Sequence, residues 1–399
     1  MHIFAPCPRG LEELLVTELT ALGLTHVVPV GGGVQGEANQ AALYRANLHS
    51  RYATRILVKL AEGPYQKEDD IYRMARDIAW HEWFDVSQSI RVGTTAVKSP
   101  LKSLDFITLR VKDGVCDRFR ADRGARPNVD TNHPDQRIQL FLTETSATLY
   151  IDSSGNPLWQ RGYRTAAGQA PLKENLAAGI LALAGWNDVD EHGAAKYKTF
   201  LDPMCGSGTI VIEAAWMRSN TAPGLNRRFA CERWAKADKA LWAKLRADAR
   251  AAIKPLAEDT LFASDIHPGA IAATHRHLEQ VGFADAVSSM ENSFVEIAAP
   301  AESGLIVTNP PYGVRLSEQD ALRAEYPEWG RTLKQQFAGW TAAFFTGDLE
   351  LTKGLGLKPR RRFPLKNGAL DCRLFVIDLV AGFHRRQKPG ADVKALPTE

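Results

Sequence analysis

The sequence has few cysteines and no long apolar segment, and both shortages exclude classes of protein. Its 399 residues include five cysteines, which are widely spaced and form no CxxC pair. A disulfide framework and a zinc knuckle are therefore not expected. No stretch of about 18 consecutive apolar residues occurs, so no membrane-spanning helix is expected. The first residues also lack the basic and apolar regions of a secretory signal peptide. These features together predict a cytoplasmic protein.

Neither a large net charge nor a metal-binding pattern is present. The formal net charge is +3, and His275 and His277 are two positions apart, where they cannot share one face of a helix. We therefore expect no metal in the functional site. The apolar fraction of 45% and the charged fraction of 24% are ordinary for a globular protein. At roughly 100–200 residues per domain, the length allows two or three domains.

Basic residues are concentrated in two segments of this nearly neutral chain. Residues 110–126 contain six Lys or Arg against three Asp, and residues 353–388 contain ten against two. Each segment is compatible with a solvated face and with a patch that contacts a polyanion. We predict polyanion contacts for the six cations of the first segment, which are Arg110, Lys112, Arg118, Arg120, Arg123 and Arg126.

The hydrophobic pattern predicts two mixed α+β units before residue 165. Residues 1–58 give the strand–helix–strand–strand–helix–strand order of a ferredoxin-like unit. Its helices are predicted over 10–22 and 41–49, and two of its strands over 25–30 and 50–59. The second unit has predicted helices over 70–79 and 104–123 and strands over 89–95, 137–142 and 147–152. The longer helix is expected to be basic and amphipathic, with one apolar side formed by Phe106, Leu109, Val111, Val115 and Phe119.

From about residue 166 the pattern changes to short apolar runs that alternate with longer helical stretches. This alternation is typical of a doubly wound parallel sheet. The strand-like runs lie at 199–201, 261–263, 286–288, 305–307 and 342–345. Asn367-Gly368 predicts a hairpin turn that joins strands over 360–365 and 369–380. The predicted fold class is α/β with an N-terminal α+β module, and the boundary is expected near 155–170.

The segment DPMCGSGT at residues 202–209 connects a predicted strand to a predicted helix. Gly206 and Gly208 allow a ligand to approach the backbone closely, and the start of the helix offers free N–H groups. No third glycine and no lysine follow, so neither a dinucleotide fingerprint nor a phosphate-cradling loop is expected. A tight turn without a ligand is the structural alternative. We favour a loop that packs against an adenosyl and a methionyl group.

Asp265 stands at the end of the strand predicted over residues 260–264. An acid at the end of the second strand of such a sheet can accept hydrogen bonds from both hydroxyls of a ribose. The alternative is a helix cap, which is the commoner role of a strand-end aspartate. Because the glycine loop precedes it in the same predicted sheet, we favour the ribose-binding role.

The tetrapeptide Asn309-Pro310-Pro311-Tyr312 directly follows the β-rich run over 305–308. Two consecutive prolines fix the backbone and remove two donors. The Asn309 side chain and the Pro310 carbonyl can then both accept hydrogen bonds from one exocyclic amino group, which aims its lone pair at an electrophile. The Tyr312 ring offers a face on which a planar base can stack. A bare turn is the alternative, but we interpret these four residues as catalytic.

These motifs resemble class I S-adenosylmethionine-dependent methyltransferases that modify the amino group of a base. Longer segments resemble the THUMP-domain RNA guanine-N2 methyltransferases, and in particular the N-terminal half of the bifunctional large-subunit ribosomal RNA methyltransferases of bacteria. The resemblance extends over nearly all of the chain, and that family's second methyltransferase half has no counterpart in it. The segments are GLEELLVTEL (10–19), RPNVD (126–130), IDSSGNPLWQRGYR (151–164), APLKENLAAGIL (170–181), DPMCGSGTIVIEAA (202–215), NPPYGVRL (309–316) and KNGALDC (366–372).

The resemblance implies a domain organisation and a set of cofactor-binding residues. It implies a ferredoxin-like domain at 1–58, a THUMP RNA-binding domain at 59–160, a class I (Rossmann-like) methyltransferase domain at 161–388 and a tail at 389–399. One departure is that the acid usually found near the adenine amino group is replaced by Ser293, flanked by Asn292. The residues expected to bind the cofactor are Lys173, Asn175, Asp202, Cys205, Gly206, Gly208, Asp265, Asn292 and Ser293.

The implied activity is S-adenosylmethionine-dependent methylation of guanine N2 in 23S ribosomal RNA. The expected substrate is structured RNA, either the ribosomal RNA or a ribosome assembly intermediate, with no membrane and no metal involved. The six cations of residues 110–126 then become candidate RNA-binding residues. The alternatives are a tRNA guanine-N2 methyltransferase, an adenine-N6 or protein-glutamine methylase, which share the NPPY motif, and a non-catalytic RNA-binding assembly factor. The last predicts that the cofactor does not bind.

Overall fold

The computed structural model describes residues 1–164, 172–311 and 316–380, which form two seven-stranded sheets. The first sheet has the order β2-β3-β1-β4-β7-β6-β5. Its strands are β1 (His2–Pro6), β2 (Thr25–Val30), β3 (Gly33–Glu37), β4 (Leu57–Pro64), β5 (Ile90–Ala96), β6 (Gln136–Leu142) and β7 (Ser146–Asp152). The accompanying helices are α1 (Glu12–Ala21), α2 (Gln40–His49), α3 (Glu68–Asp77) and α4 (Leu104–Arg123). The predicted ferredoxin-like order is confirmed in the first four strands.

The second sheet has the order β10-β9-β8-β11-β12-β14-β13, in which the first five strands are parallel and β14 is antiparallel to both of its neighbours, β12 and β13. This arrangement confirms the predicted doubly wound sheet with a terminal hairpin. The strands are β8 (Phe200–Asp202), β9 (Leu261–Asp265), β10 (Val287–Glu291), β11 (Leu305–Thr308), β12 (Thr341–Thr346), β13 (Arg361–Asn367) and β14 (Leu370–Asp378). The helices are α5 (Glu174–Ala184), α6 (Thr209–Arg218), α7 (Lys239–Ala251), α8 (Pro268–Val281), α9 (Leu316–Gln336) and α10 (Leu351–Gly354).

The two α+β units predicted before residue 165 share one continuous sheet. Strand β4 pairs with β1 on one side and with β7 on the other. The division that the sequence places between residues 58 and 59 lies inside this strand and stays a prediction. One apolar core also contains residues of both sheets, for example Ile3 of β1 and Leu374 of β14. Among the described residues, no helix has the length and apolar character needed to cross a membrane.

Two local predictions were wrong. The strand expected over 50–59 begins only at Leu57. The first two residues of that range are held by the Glu18 carboxylate instead of by a neighbouring strand. This carboxylate accepts from the backbone N–H of Arg51 at 2.7 Å and from the hydroxyl of Ser50 at 2.6 Å. In α4, Phe106 and Leu109 are 49% and 53% exposed. The helix packs on α3 through a face turned by part of a turn from the expected one, formed by Ile107, Val111, Gly114, Val115 and Phe119.

Candidate active site

The parallel register brings the polar residues of three neighbouring strands to one edge of the second sheet. Leu201 of β8 is aligned with Ile306 of β11, and Asp202 is aligned with Ala263 of β9. Asp202 is the last residue of its strand and Asp265 the last of β9, while Asn309 follows β11 directly. Parallel strands carry their binding sites at their carboxyl ends, so these three side chains converge as expected.

Four buried polar atoms at this edge have no hydrogen-bond partner among the described residues. They are Oδ2 of Asp202, Oγ of Ser264, Oγ1 of Thr308 and Oδ1 of Asn309. A buried polar atom without a partner costs about 1–3 kcal/mol, and such atoms are rare in native proteins. Four of them on adjacent strand ends therefore indicate a site shaped for a polar ligand. The sequence singled out Asp202 and Asn309 but missed Ser264 and Thr308, although each directly precedes a predicted site residue.

The glycine loop is held against the end of β9 by its backbone. The N–H of Cys205 donates to the carbonyl of Ser264 at 2.9 Å, and the N–H of Gly206 donates to Oδ2 of Asp265 at 2.9 Å. Gly206 has φ +54° and open space where a side chain would lie. Gly208 has φ +79°, and a Cβ atom there would lie 2.9 Å from the Thr274 side chain. The loop thus leaves room for a ligand over Gly206 and packs tightly at Gly208.

Asp202 is the most electrostatically unusual group of the site. Its side chain is buried, Oδ1 accepts a long hydrogen bond of 3.4 Å from the N–H of Met204, and the Thr308 hydroxyl is near enough to favour the charged carboxylate. Burial raises the pKa of the Asp202 carboxyl to about 7. A carboxyl in this position ionises readily when a cationic group approaches, because the cation replaces the water that the buried carboxylate lacks.

Asp265 is fixed by the loops on both sides of it. Beside the bond from Gly206, its Oδ1 accepts from the N–H of His267 at 3.0 Å, which also caps the start of α8. The carboxylate can therefore serve as a helix cap and still present acceptor capacity to a ligand. Asn292 lies beside it, since its N–H donates to the Asp265 carbonyl at 3.1 Å, and Ser293 follows at the same edge.

Cys205 lies in the loop as a buried thiol. Burial is the main cause that raises the pKa of the Cys205 thiol, and its Sγ lies 3.6 Å from Oγ1 of Thr274. A thiol held protonated in this way is a poor nucleophile. Its position fits packing in the loop rather than covalent chemistry.

The tetrapeptide that follows β11 is described as far as Pro311. Asn309 is half-buried, Pro310 is buried and Pro311 is exposed. Tyr312 lies outside the described residues, so its stacking role stays a prediction. The side-chain oxygen of Asn309 thus has no donor among the described residues, which suits it to accept a hydrogen bond from a ligand.

The two residues expected at the start of α5 differ in their surroundings. Asn175 is fully buried and donates from Nδ2 to the Tyr52 carbonyl at 3.2 Å and to Oγ1 of Thr54 at 3.3 Å, while its Oδ1 has no partner among the described residues. Lys173 is exposed, and its ammonium lies 5.3 Å from the centre of the Trp159 ring. Asn175 therefore connects α5 to the N-terminal module and keeps one acceptor unused.

Arg164 supports the site and was not assigned by sequence reasoning. Its Nε donates to Oε1 of Glu174 at 2.9 Å, and its Nη2 donates to Oγ1 of Thr209 at 2.7 Å. Thr209 is the first residue of α6, directly after the glycine loop. This largely buried ion pair thus ties the start of α5 to the start of α6. The only sequence signal was its place in a segment shared with the resembling family.

Four of the six cations predicted to contact RNA are ion-paired in the structure. Asp69 of α3 pairs with the first at 2.5 Å, and the others pair with acids of α4 itself. The pairs are Arg110–Asp69, Lys112–Asp113, Arg118–Asp122 and Arg120–Asp117. Arg123 and Arg126 have no ion pair within the described part of the chain. Their RNA contacts stay predictions. In that same part, no group of three or more His, Cys, Asp or Glu is placed to hold a metal ion.

Comparisons with protein families match the chain in three consecutive parts. The family described as "RMKL-like, methyltransferase domain" matches residues 161–375. A THUMP domain matches residues 65–152, and a domain described as "RlmL ferredoxin-like domain" matches residues 2–57. The three matches follow the same order as the units seen in the two sheets.

Curated relatives match over almost the whole of this chain but only half of their own. The ribosomal RNA large subunit methyltransferase K/L of Allochromatium vinosum is 40% identical over 382 residues, which are 94% of this chain and 51% of the relative. The protein of the same name from Syntrophotalea carbinolica is 39% identical over 389 residues, which are 95% of this chain and 54% of the relative. The chain therefore spans about half the length of the curated relatives it matches.

Solved structures show the same architecture over both sheets. SMU.472, which was solved in complex with SAH, superposes with a TM-score of 0.85 at 28% identity. The superposition covers 96% of this chain and 99% of that one. The relative arrangement of N-terminal module and C-terminal sheet is thus shared with a protein that holds a ligand.

Proposed function

Because this chain belongs to the family of RMKL-like methyltransferase domains, we propose that it methylates the exocyclic amino group of a base in structured RNA. The observation that carries this proposal is the group of four unpartnered polar atoms at the ends of β8, β9 and β11. All four oxygens can accept, and the two hydroxyls of Ser264 and Thr308 can also donate, so the group suits a polar ligand that brings its own N–H and O–H groups. A nucleoside cofactor and a base amino group both bring them.

S-adenosylmethionine fits the residues on the β8 and β9 side of this edge. When bound, it supplies a methyl group on a sulfonium that an incoming nitrogen can displace. We propose that Asp265 accepts hydrogen bonds from the ribose hydroxyls and that Asp202 attracts a cationic group of the methionyl part; the unpartnered Oδ2 of Asp202 supports the second role. Open space over Gly206 admits the cofactor close to the backbone. The SAH in the related structure is what this cofactor becomes after methyl transfer. Asn292 and Ser293 are proposed to border its adenine ring.

Asn309 and Pro310 are proposed to hold the amino group that receives the methyl. The Asn309 oxygen and the Pro310 carbonyl can accept its two protons, which turns the nitrogen lone pair toward the sulfonium carbon. An amino group on a base is weakly basic because its lone pair is delocalised into the ring. Acceptors on both protons favour a tetrahedral nitrogen, so their contribution grows as the methyl arrives. Pro311 and Tyr312 complete the proposed clamp, with Tyr312 as the stacking surface.

The substrate we propose is guanine N2 of large-subunit ribosomal RNA. The curated relatives are ribosomal RNA large subunit methyltransferases, and the N-terminal THUMP match supports RNA as the substrate class. The named relatives are about twice as long, so their full set of activities is not transferred to this chain. A ribosomal RNA substrate would place the enzyme in the cytoplasm. Guanine N2 of tRNA and adenine N6 remain the alternatives, because the proposed clamp recognises an amino group rather than one particular ring.

The base can be identified by methylating protein-free ribosomal RNA with the full chain and isotope-labelled S-adenosylmethionine. Nucleoside mass spectrometry should then show labelled N2-methylguanosine, and the label should be absent with an Asn309→Ala variant. Labelled N6-methyladenosine would overturn the base assignment and leave the amino-group chemistry in place. Binding of RNA without cofactor binding, measured by calorimetry, would instead support a non-catalytic assembly factor.

A further inference from the structure

An open groove of about 890 Å³ lies between the first sheet and α7, and none of its lining residues belongs to the strand-end site. One wall is formed where β6 begins and β7 ends, by Asp135 and Asn156 among others. The opposite wall is formed by residues 225–233 and by one face of α7. The groove is therefore lined by both the N-terminal module and the methyltransferase domain.

The lining of this groove is strongly basic, with six cations and two acids. Each acid is already paired with a cation of the groove: Asp135 with Arg233 at 2.5 Å, and Glu232 with Arg246 at 2.8 Å. Four cations are left without a carboxylate, namely Arg227, Arg228, Lys239 and Arg250. This differs from α4, where acids neutralise four of the six candidate cations.

The four cations without a carboxylate partner differ in burial and in their hydrogen bonds. Arg227 is fixed by neutral acceptors, since its two Nη atoms donate to the carbonyls of Pro157 and Asn156 at 2.9 and 2.8 Å. Burial, together with the nearby cation of Arg161, lowers the pKa of Arg227 to about 10, which is still high enough to keep it charged near neutral pH. Arg228 and Lys239 are exposed, as is Arg250, and none of the three has a side-chain partner among the described residues.

The spacing along α7 shows that the groove uses one face of the helix. Lys239, Trp242, Ala243, Arg246 and Arg250 line it and recur every three or four residues. Lys244 is not among the lining residues and pairs with Asp248 instead. Eleven residue steps from Lys239 to Arg250 span about 16 Å along the helix axis, which is long enough to follow several nucleotides. Trp242 and Phe229 stack at 5.3 Å beneath the cations and hold this wall rigid.

We propose that this groove binds the phosphodiester backbone of the RNA substrate. The inference rests on the proposed function for the substrate class, but the strand-end site itself does not predict where the RNA backbone lies. Arginine and lysine without carboxylate partners gain most from phosphate, because no existing ion pair has to be broken. The groove is bounded by both the THUMP-containing sheet and the methyltransferase domain, so RNA held there contacts both parts of the molecule.

The test removes the three exposed, unpartnered cations together as Arg228→Ala/Lys239→Ala/Arg250→Ala in the full chain. A control of equal charge change removes three exposed cations outside the groove, as Lys244→Ala/Lys254→Ala/Arg276→Ala. The affinity for protein-free large-subunit ribosomal RNA is measured at several salt concentrations. At roughly one unit of slope per lost phosphate contact, the plot of log affinity against log salt should become shallower by about 2 to 3 for the groove variant. The control should keep the slope of the unaltered protein.

The outcomes separate this proposal from the proposed function. S-adenosylmethionine binding, measured by calorimetry, should be the same in all three proteins, because the groove does not share residues with the strand-end site. If the groove variant keeps the affinity and slope of the unaltered protein, or if the control loses as much, the groove does not bind the RNA backbone. If the unaltered protein binds RNA through the groove but transfers no methyl group to it, the groove stands and the proposed activity fails.

Discussion

At the scale of single residues, the two strand-end aspartates have opposite surroundings. Asp265 accepts from two backbone N–H groups, at Gly206 and His267, whereas one oxygen of Asp202 has no partner within the described residues. Two hydrogen bonds hold the Asp265 carboxylate in one orientation, whereas burial disfavours the charged form of Asp202. The first residue is thus a permanently oriented acceptor, and the second responds to the charge of its ligand.

Replacing Asp265 should weaken cofactor binding specifically. Asp265→Ala removes charge-assisted acceptors for two ribose hydroxyls, and we expect a loss of about 1–3 kcal/mol in the free energy of S-adenosylmethionine binding. Calorimetry measures this directly, and RNA affinity in the absence of cofactor serves as the control. Unchanged cofactor affinity would mean that Asp265 only caps α8.

Cofactor affinity should depend on pH through Asp202. Below about pH 7 the buried carboxyl is largely protonated in the free protein, and above it the carboxylate can attract a cationic group. Affinity should therefore rise between about pH 6 and 8. Because the folded-state pKa is raised, the unfolded chain loses this proton at about pH 4 and the folded protein only at about pH 7, so the free protein loses stability between about pH 4 and pH 7. Bound cofactor should offset that loss above about pH 6. Asp202→Asn removes the titrating group, so the pH dependence of cofactor affinity and of stability should both become weaker. If both keep the pH dependence of the unaltered protein, Asp202 is not its source.

At the scale of elements, the turn between β8 and α6 uses its two glycines differently. Gly206→Ala places a methyl group in open space at φ +54°, whereas Gly208→Ala places it 2.9 Å from Thr274 at φ +79°. Both variants should lose about 1–2 kcal/mol of stability from the left-handed backbone, with the larger loss at Gly208. Only Gly206→Ala should also reduce cofactor affinity beyond its loss of stability. Thermal unfolding with and without S-adenosylmethionine separates the two effects, and equal shifts on adding cofactor would contradict the close approach at Gly206.

The elements that could be predicted well from the sequence are those whose apolar residues are also the ones buried in the folded protein. Strand ends followed by Asp265 or by Asn309-Pro310 were recognisable because short apolar runs stop at polar or breaking residues. The buried face of α4 was misjudged because apolar residues such as Phe106 and Leu109 also stand on the exposed side of the helix. Partners from distant elements, such as Asp69 for Arg110, leave no local signal at all.

At the scale of the whole molecule, a buried ion pair connects the N-terminal module with α6. The Arg161 guanidinium donates to Glu213 at 3.0 Å and to the carbonyls of Leu158 and Arg51 at 2.9 and 2.8 Å. Both side chains are almost fully buried. The same residue thus joins the loop after α2, the connection between the sheets and the helix that begins at the glycine loop. The groove described above is likewise built from both parts, and neither feature is visible in one segment of sequence.

Removing one partner of this ion pair should destabilise the protein more than replacing both partners with apolar residues. Arg161→Met removes the ion-pair partner of the buried Glu213 carboxylate and leaves it with the more distant charge of Arg51, so it should lower the free energy of unfolding by about 3–5 kcal/mol. Arg161→Met/Glu213→Leu removes both charges and should lose clearly less. Denaturant unfolding of the two variants checks the difference. A double variant as unstable as the single one would show that the carbonyl contacts of Arg161, rather than the charge pair, hold the two parts together.

The central claim is that Asn309 holds the amino group that receives the methyl, and the rate of the chemical step tests it most directly. In single-turnover experiments with saturating S-adenosylmethionine and RNA, Asn309→Ala should be slower by about 10²–10³-fold, the usual size for one lost preorganised polar partner. Its cofactor and RNA affinities should change little. The matched control Asn292→Ala, an asparagine that follows β10 in the same sheet, should weaken cofactor binding and leave the rate at saturation near that of the unaltered protein. An Asn309→Ala enzyme that transfers methyl at nearly the unaltered rate would contradict the account, because Asn309 would then be only a turn residue.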